Sequence, residues 1–147
     1  MRVFLLWLLV AFSPMAAGKS QQFVSLKSSE INLRVGPGKE YPVICVFLKC
    51  DLPVLMIAEF GQWYKIKFID DTEGWLHQSM ISRKNTAIVS AQFALLYRYA
   101  SKAHPIAKVE KNVVVRVLKK ENEWVKIEVK RVKGWMLRQD LWGIADD

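Results

Sequence analysis

The sequence runs through the same punctuation twice. Asn32-Leu33-Arg34-Val35-Gly36-Pro37-Gly38-Lys39-Glu40-Tyr41-Pro42-Val43 lines up with Leu95-Leu96-Tyr97-Arg98-Tyr99-Ala100-Ser101-Lys102-Ala103-His104-Pro105-Ile106. Leu33 then meets Leu96, Lys39 meets Lys102 and Pro42 meets Pro105. Further on, Trp63-Tyr64-Lys65-Ile66 meets Trp124-Val125-Lys126-Ile127, and Gly74-Trp75 meets Gly134-Trp135. The offset shrinks from 63 residues at the prolines to 60 at the Gly-Trp pairs, so the second copy has slightly shorter loops. A chain of 147 residues that holds one unit twice leaves about 60 residues per unit, which is too few for a two-domain α/β enzyme.

Within each copy the hydrophobic period is two. Tyr64, Ile66 and Phe68 fall on one face of their segment, with Trp63, Lys65 and Lys67 on the other. Val125, Ile127 and Val129 repeat that pattern, and alternation of this kind marks half-buried strands. Pro53 to Ala58 and Val113 to Leu118 are further runs of strand length, rich in branched apolar residues. Gly36, Gly38, Gly61, Gly74, Pro105 and Gly134 separate the runs, and no long helical pattern interrupts them. The expected fold is all-β: two tandem small barrels.

The N-terminus carries a different signal. Arg2 precedes the wholly apolar run Val3 to Phe12, and small residues follow at Ala16, Ala17 and Gly18. A basic start, a short apolar core and a small-residue site make a cleavable signal peptide, here residues 1–18, with cleavage after Gly18. A membrane-spanning helix needs roughly 20 apolar residues, and Ser13 and Pro14 end the run early. The mature chain is therefore expected to be exported, to periplasm or cell envelope, with no stable membrane span. Residues 22–84 and 88–145 form its two modules. Export in turn argues against nucleic acid as the partner of a chain with net charge +8 and favours an anionic envelope surface. Cys45 and Cys50 are expected to stay free thiols, one mid-strand and one in the next turn, too far apart to bridge unless that turn folds back early.

The first copy resembles bacterial SH3-like domains. The resemblance rests on Asn32-Leu33-Arg34-Val35-Gly36-Pro37-Gly38, Tyr41-Pro42-Val43-Ile44, Gln62-Trp63-Tyr64-Lys65-Ile66 and Glu73-Gly74-Trp75-Leu76-His77-Gln78-Ser79. More narrowly, the chain resembles exported proteins of alpha-type Proteobacteria that carry two such domains in tandem. Leu52-Pro53-Val54, Ile57-Ala58-Glu59-Phe60 and Asp140-Leu141-Trp142-Gly143 continue that pattern. The second copy is divergent, since Leu95 to Ala100 replace the Asn-Leu-Arg-x-Gly-Pro signature. The resemblance implies a five-stranded barrel in each half and a non-catalytic binding role. Such modules accompany enzymes that cut bacterial cell walls and engage peptidoglycan, often its peptide stems.

Candidate ligand-binding residues follow from side-chain chemistry. Arg34 presents a guanidinium that either forks onto a ligand carboxylate or pairs with Glu30 or Glu40 to fix its loop. Lys39 and Tyr41 stand beside it; Tyr41 meets His104 in the second copy. Trp63 and Trp124 open equivalent strands opposite the core-facing set, as stacking platforms or as packing. Trp75 and Trp135 are assigned to core or inter-domain packing, and Gly36 and Gly38 to a turn with positive φ. Lys119, Lys120, Lys130, Arg131 and Lys133 form basic clusters in or near hairpin turns of the second module, either a solvated face or an anion-binding surface. That module carries twelve Lys or Arg against seven Asp or Glu from Thr86 on, compared with nine against seven from Lys19 to Asn85.

No catalytic constellation emerges. Neither cysteine has metal-ligand spacing, the two histidines stand apart, and His77 beside Ser79 lacks an orienting acid. No catalytic residue, metal site or cofactor is expected. The leading expectation is a non-catalytic exported module that docks peptidoglycan or another envelope polymer. The alternative is an envelope adaptor that takes an extended peptide of another exported protein.

Overall fold

The computed structural model describes residues 21–146; the expected signal peptide at 1–18 lies outside them. Among the described residues there are two seven-stranded antiparallel sheets. The first contains β1 (Gln22–Leu26), β2 (Ile31–Arg34), β3 (Val43–Phe47), β4 (Pro53–Phe60), β5 (Trp63–Lys67), β6 (Glu73–His77) and β7 (Ile81–Ser82). The second contains β8 (Thr86–Val89), β9 (Phe93–Tyr97), β10 (Pro105–Glu110), β11 (Val114–Glu121), β12 (Trp124–Val129), β13 (Val132–Leu137) and β14 (Leu141–Trp142). Their orders, β3-β2-β6-β5-β4-β1-β7 and β10-β9-β13-β12-β11-β8-β14, become identical when seven is added to each label of the first. The duplication read from the sequence is thus a duplication of topology.

Each module has two strands more than the five implied by family resemblance. A leading strand, β1 or β8, runs antiparallel to β4 or β11, and a two-residue strand, β7 or β14, closes on it. Neither carries enough alternation to be legible on its own: β1 is five residues long and β8 is buried at every position. The register repeats in detail. Both long hairpins slip by one residue, at Ile57 between Met56 and Ala58 and at Leu118 between Val117 and Lys119. At each slip the extra apolar side chain is turned outward.

The period-two reading is realised in the cores. Ile31, Leu33, Val54, Ile66 and Leu76 fill the first; Leu96, Val115, Val125, Ile127 and Met136 fill the second. Gly74 and Gly134 let the central strands approach. A Cβ at Gly74 would sit 2.9 Å from the Arg34 carbonyl oxygen, and one at Gly134 2.7 Å from that of Tyr97. Gly36 and Gly38 do not adopt the positive φ assigned to them. Gly36 is instead needed because the Tyr41 ring lies where its Cβ would be. Trp75 and Trp135 are also placed differently: each lies between a buried glycine and a buried Leu76 or Met136, so alternation turns it to the outer face, half-buried and outside both cores.

The two barrels share packing. Ile88 of β8 belongs to the first core, with Val114 and Trp142 packed against it. Trp142 meets Phe23 edge-on at 5.0 Å and Phe68 at 5.9 Å. The Thr86 hydroxyl donates to the Asp51 carbonyl at 2.7 Å, and Lys84 pairs with the Asp51 carboxylate at 3.1 Å. Asp51 adopts φ 61, the left-handed turn conformation that aspartate tolerates. Cys45 lies within β3 and Cys50 in the turn after it, both as free thiols. Among the described residues no helix is long and apolar enough to cross a membrane.

Candidate functional site

One end of the first barrel gathers three of the expected residues. On β2, Ile31 and Leu33 point into the core, so Asn32 is exposed and Arg34 half-buried at the strand end, opposite Trp75. The β5–β6 pairing places Trp63 opposite His77, ring centroids 5.4 Å apart and 79° between planes. Arg34, Lys39, Trp63 and His77 then line a cleft of about 160 Å³, with Glu30 and Asn32 on its polar side. Ordinary small-molecule pockets run from about 300 Å³, so this cleft has room for a single small chemical group. Two cations, two flat rings and a carboxylate line it, groups able to pair with a carboxylate, hydroxyl or amide.

Arg34 has a structural duty as well. Its Nη1 donates to the carbonyl oxygens of Lys39 at 3.1 Å and Tyr41 at 2.8 Å. The loop is therefore fixed through backbone oxygens and not through Glu30 or Glu40, one of the two alternatives open from the sequence. Tyr41 is brought to Arg34 by its carbonyl only; its ring lies over Gly36 and is not among the cleft-lining side chains. His77 is held by its neighbours. The Ser79 backbone N–H donates to Nδ1 at 3.2 Å, which assigns the proton to Nε2, 3.4 Å from the Gln62 side-chain oxygen. Sequence reasoning missed His77, Glu30 and Asn32. The signal was available: Glu30 and Asn32 alternate with core Ile31, and His77 ends the strand that must pair with Trp63.

The matching end of the second barrel is closed. Tyr97 lies opposite Trp135, just as Arg34 lies opposite Trp75. Trp124 lies opposite Leu137, where the first barrel has Trp63 and His77. Tyr97 and Trp124 meet edge-to-face at 5.5 Å and 89°, and they are only 8% and 9% exposed. Trp124 is thus a buried packing residue and offers no stacking platform: the tyrosine ring occupies the space that Arg34 leaves open. At the rim, Lys102 and Asp140 stand where Lys39 and Met80 stand in the first barrel. Burial pushes the Asp140 carboxyl above its ordinary value, and the Lys102 charge opposes that only in part.

The basic residues lie on β11, in the β12–β13 hairpin and on β13. Lys119 and Lys120 lie on β11 and not in a turn; Lys119 is ion-paired with Glu121, and Lys120 reaches the Ala145 carbonyl oxygen at 3.4 Å. Lys130 and Arg131 are the two central residues of the β12–β13 hairpin, at φ 47 and 67. Lys133 follows on β13 opposite Glu128. Lys119 and Lys120 oppose Lys126 and Val125 on one side of β12, and Lys133 opposes Glu128 on the other, two to three residues further along the strand. Among the described residues, no group of three or more His, Cys, Asp or Glu is placed to hold a metal ion.

The chain is thus a duplicated, small antiparallel barrel with an aromatic cleft at one end of its first copy. The bacterial SH3 domain family model matches residues 27–83 and 90–143, and the chain belongs to that family. Bacterial SH3 domains are typically non-catalytic modules that bind cell walls, usually in extracellular or envelope proteins. No curated protein matches the chain. Among solved structures, NlpC2 from Trichomonas vaginalis is similar over 86% of this chain and 49% of its own, at 17% identity and TM-score 0.39. NlpC1 from the same organism is similar over 92% and 50%, at 16% identity and TM-score 0.36. An NlpC/P60 family protein from Bacillus cereus ATCC 10987 is similar over 82% and 56%, at 13% identity and TM-score 0.37. The chain spans about half the length of these proteins.

Proposed function

We propose that this is an exported, non-catalytic protein of the periplasm or cell envelope that docks peptidoglycan or another envelope polymer. In this reading residues 1–18 direct export, residues 22–84 carry the docking cleft, and residues 88–145 form a divergent second module. The observation that supports it most is the asymmetry of the repeat: Arg34, Lys39, Trp63 and His77 line an open cleft, while Tyr97 and Trp124 fill the same place in the second barrel. A guanidinium beside an indole and an imidazole suits a polymer that alternates carboxylates with amides or sugar rings.

The basic hairpin of Lys130, Arg131 and Lys133 adds long-range attraction to an anionic wall, and that contribution weakens as salt is raised. Co-sedimentation of the protein with purified wall sacculi tests the reading. Enrichment in the pellet at low salt, reduced at high salt, is expected. A protein that stays in the supernatant at low salt contradicts it.

A further inference from the structure

The mouth of the first barrel is filled by its own rings. Phe47, at the end of β3, and Phe68, just after β5, meet edge-to-face at 5.5 Å, and Trp142 of the second barrel lies against Phe68. Strand pairing identifies their counterparts. Cys45 and Ala107 each oppose the core leucine, Leu33 or Leu96; two residues on, Phe47 corresponds to Val109. Ile66 and Ile127 each oppose the invariant partner of the repeat, Gly74 or Gly134; two residues on, Phe68 corresponds to Val129.

Two phenyl rings are thus replaced by two isopropyl groups, and a cleft of about 350 Å³ opens. Val109, Val113, Val129 and Val132 line it, with Ala107 beside them and the buried Leu96 behind. Lys108 and Lys130 stand at its rim with the carboxylate of Glu110, and Arg131 and Lys133 flank Lys130 on the hairpin. Lys108 also lies over the Phe93 ring, 4.2 Å from its centroid. The cleft borders β10, the terminal strand of the second sheet.

A second copy stacked head-to-tail does not fill this cleft. The first barrel's mouth is covered by Ile88, Val114 and Trp142, and by strand register their equivalents in the first barrel are Ser25, Pro53 and Ser82. Head-to-tail stacking of copies would present two serines and a proline to an apolar cleft. The first barrel instead shows what fits this shape: aromatic rings, seated edge-on.

We propose that the cleft between β10 and the β12–β13 hairpin receives an aromatic side chain from an acidic segment of another protein, extended along β10. Edge pairing supplies backbone hydrogen bonds, the ring takes the space of the missing phenylalanines, and the acids meet Lys108, Lys130, Arg131 and Lys133. This site is separate from the wall-docking cleft of the first barrel and shares with wall attraction only the hairpin charges Lys130, Arg131 and Lys133, which the two valine variants leave in place.

The probe is a synthetic peptide with one phenylalanine between runs of aspartate, titrated into isotope-labelled protein and followed by NMR. Saturable shifts at Ala107, Val109 and Val129 are expected, with affinity at least about tenfold weaker for the peptide with alanine in place of phenylalanine. Val129→Phe, which restores the residue of the first barrel, abolishes binding, as does Val109→Phe; circular dichroism identifies the variant that keeps the fold. Both leave sedimentation with sacculi unchanged, so this site and the wall cleft fail separately. Absence of saturable shifts at millimolar peptide, equal binding of the alanine peptide, or displacement of the peptide by decanoate overturns the proposal.

Discussion

Arg34 and Tyr97 hold the same place in the two barrels, one opposite Trp75 and the other opposite Trp135. Together with the exchange of His77 for Leu137, this exchange accounts for the difference between the modules at this end. A guanidinium at the strand end reaches across its turn to two carbonyl oxygens and leaves Trp63 and His77 at the surface. A tyrosine there folds onto Trp124 and seals the end. The second barrel has the reverse arrangement at its mouth, where Val109 and Val129 leave open what Phe47 and Phe68 close.

The Tyr97–Trp124 pair is expected to act through stability alone. Trp124→Ala removes a buried indole and is expected to cost about 3–5 kcal/mol, the range for large aromatic truncations in cores. Chemical denaturation measures the loss. Under conditions where the variant remains folded, its sedimentation with wall sacculi should match the parent. A loss of sedimentation without a loss of stability would return Trp124 to the binding surface.

The β12–β13 turn is strained. Lys130 and Arg131 occupy a two-residue hairpin with both φ values positive, a conformation that asparagine and glycine adopt much more readily. Replacing the pair with Asn-Gly is expected to stabilise the protein by about 1–2 kcal/mol, from the cost of the left-handed conformation in side-chain-bearing residues. The same substitution removes two positive charges, so wall binding at low salt should weaken while the denaturation midpoint rises. Both are read on one preparation.

Asp140 gives a pH prediction with a definite sign. Its carboxyl is raised above the ordinary value of 3.8 by burial, so the folded state holds the proton more tightly than the unfolded chain. Stability is then lost as pH rises from 3.8 through the raised value. Asp140→Asn removes that loss: the variant should be more stable than the parent at neutral pH, with the difference vanishing below the carboxylate range. Asp70 works in the opposite sense. Hydrogen bonds from Thr72 lower its pKa, so its contribution disappears only as pH falls below 3.8, and its exposure keeps that contribution small. Thermal unfolding from acid to neutral pH separates the two.

The repeat and the strand cores were legible because period two and matched punctuation are local properties. Of the five candidates Arg34, Lys39, Tyr41, Trp63 and Trp124, three line the cleft of the first barrel. What stayed hidden depended on pairing across strands. Trp63 and Trp124 look alike in sequence, yet the residue opposite each, His77 or Leu137, and the ring beside Trp124 decide which one is buried. The fate of Tyr41 turned on a contact with Gly36 that no alternation encodes. The opening in the second barrel came from two phenylalanine positions becoming valines, visible only once the registers are superposed.

In the proposed function the first barrel alone carries the wall-docking cleft. The most direct measurement compares sacculus binding by the parent, Trp63→Ala and Arg34→Lys. Lysine keeps the charge at residue 34 but lacks the planar fork. Both variants are expected to bind at least about tenfold more weakly, while Val129→Phe binds as the parent does. Undiminished binding by folded Trp63→Ala, with loss confined to variants of the second barrel, would contradict the account.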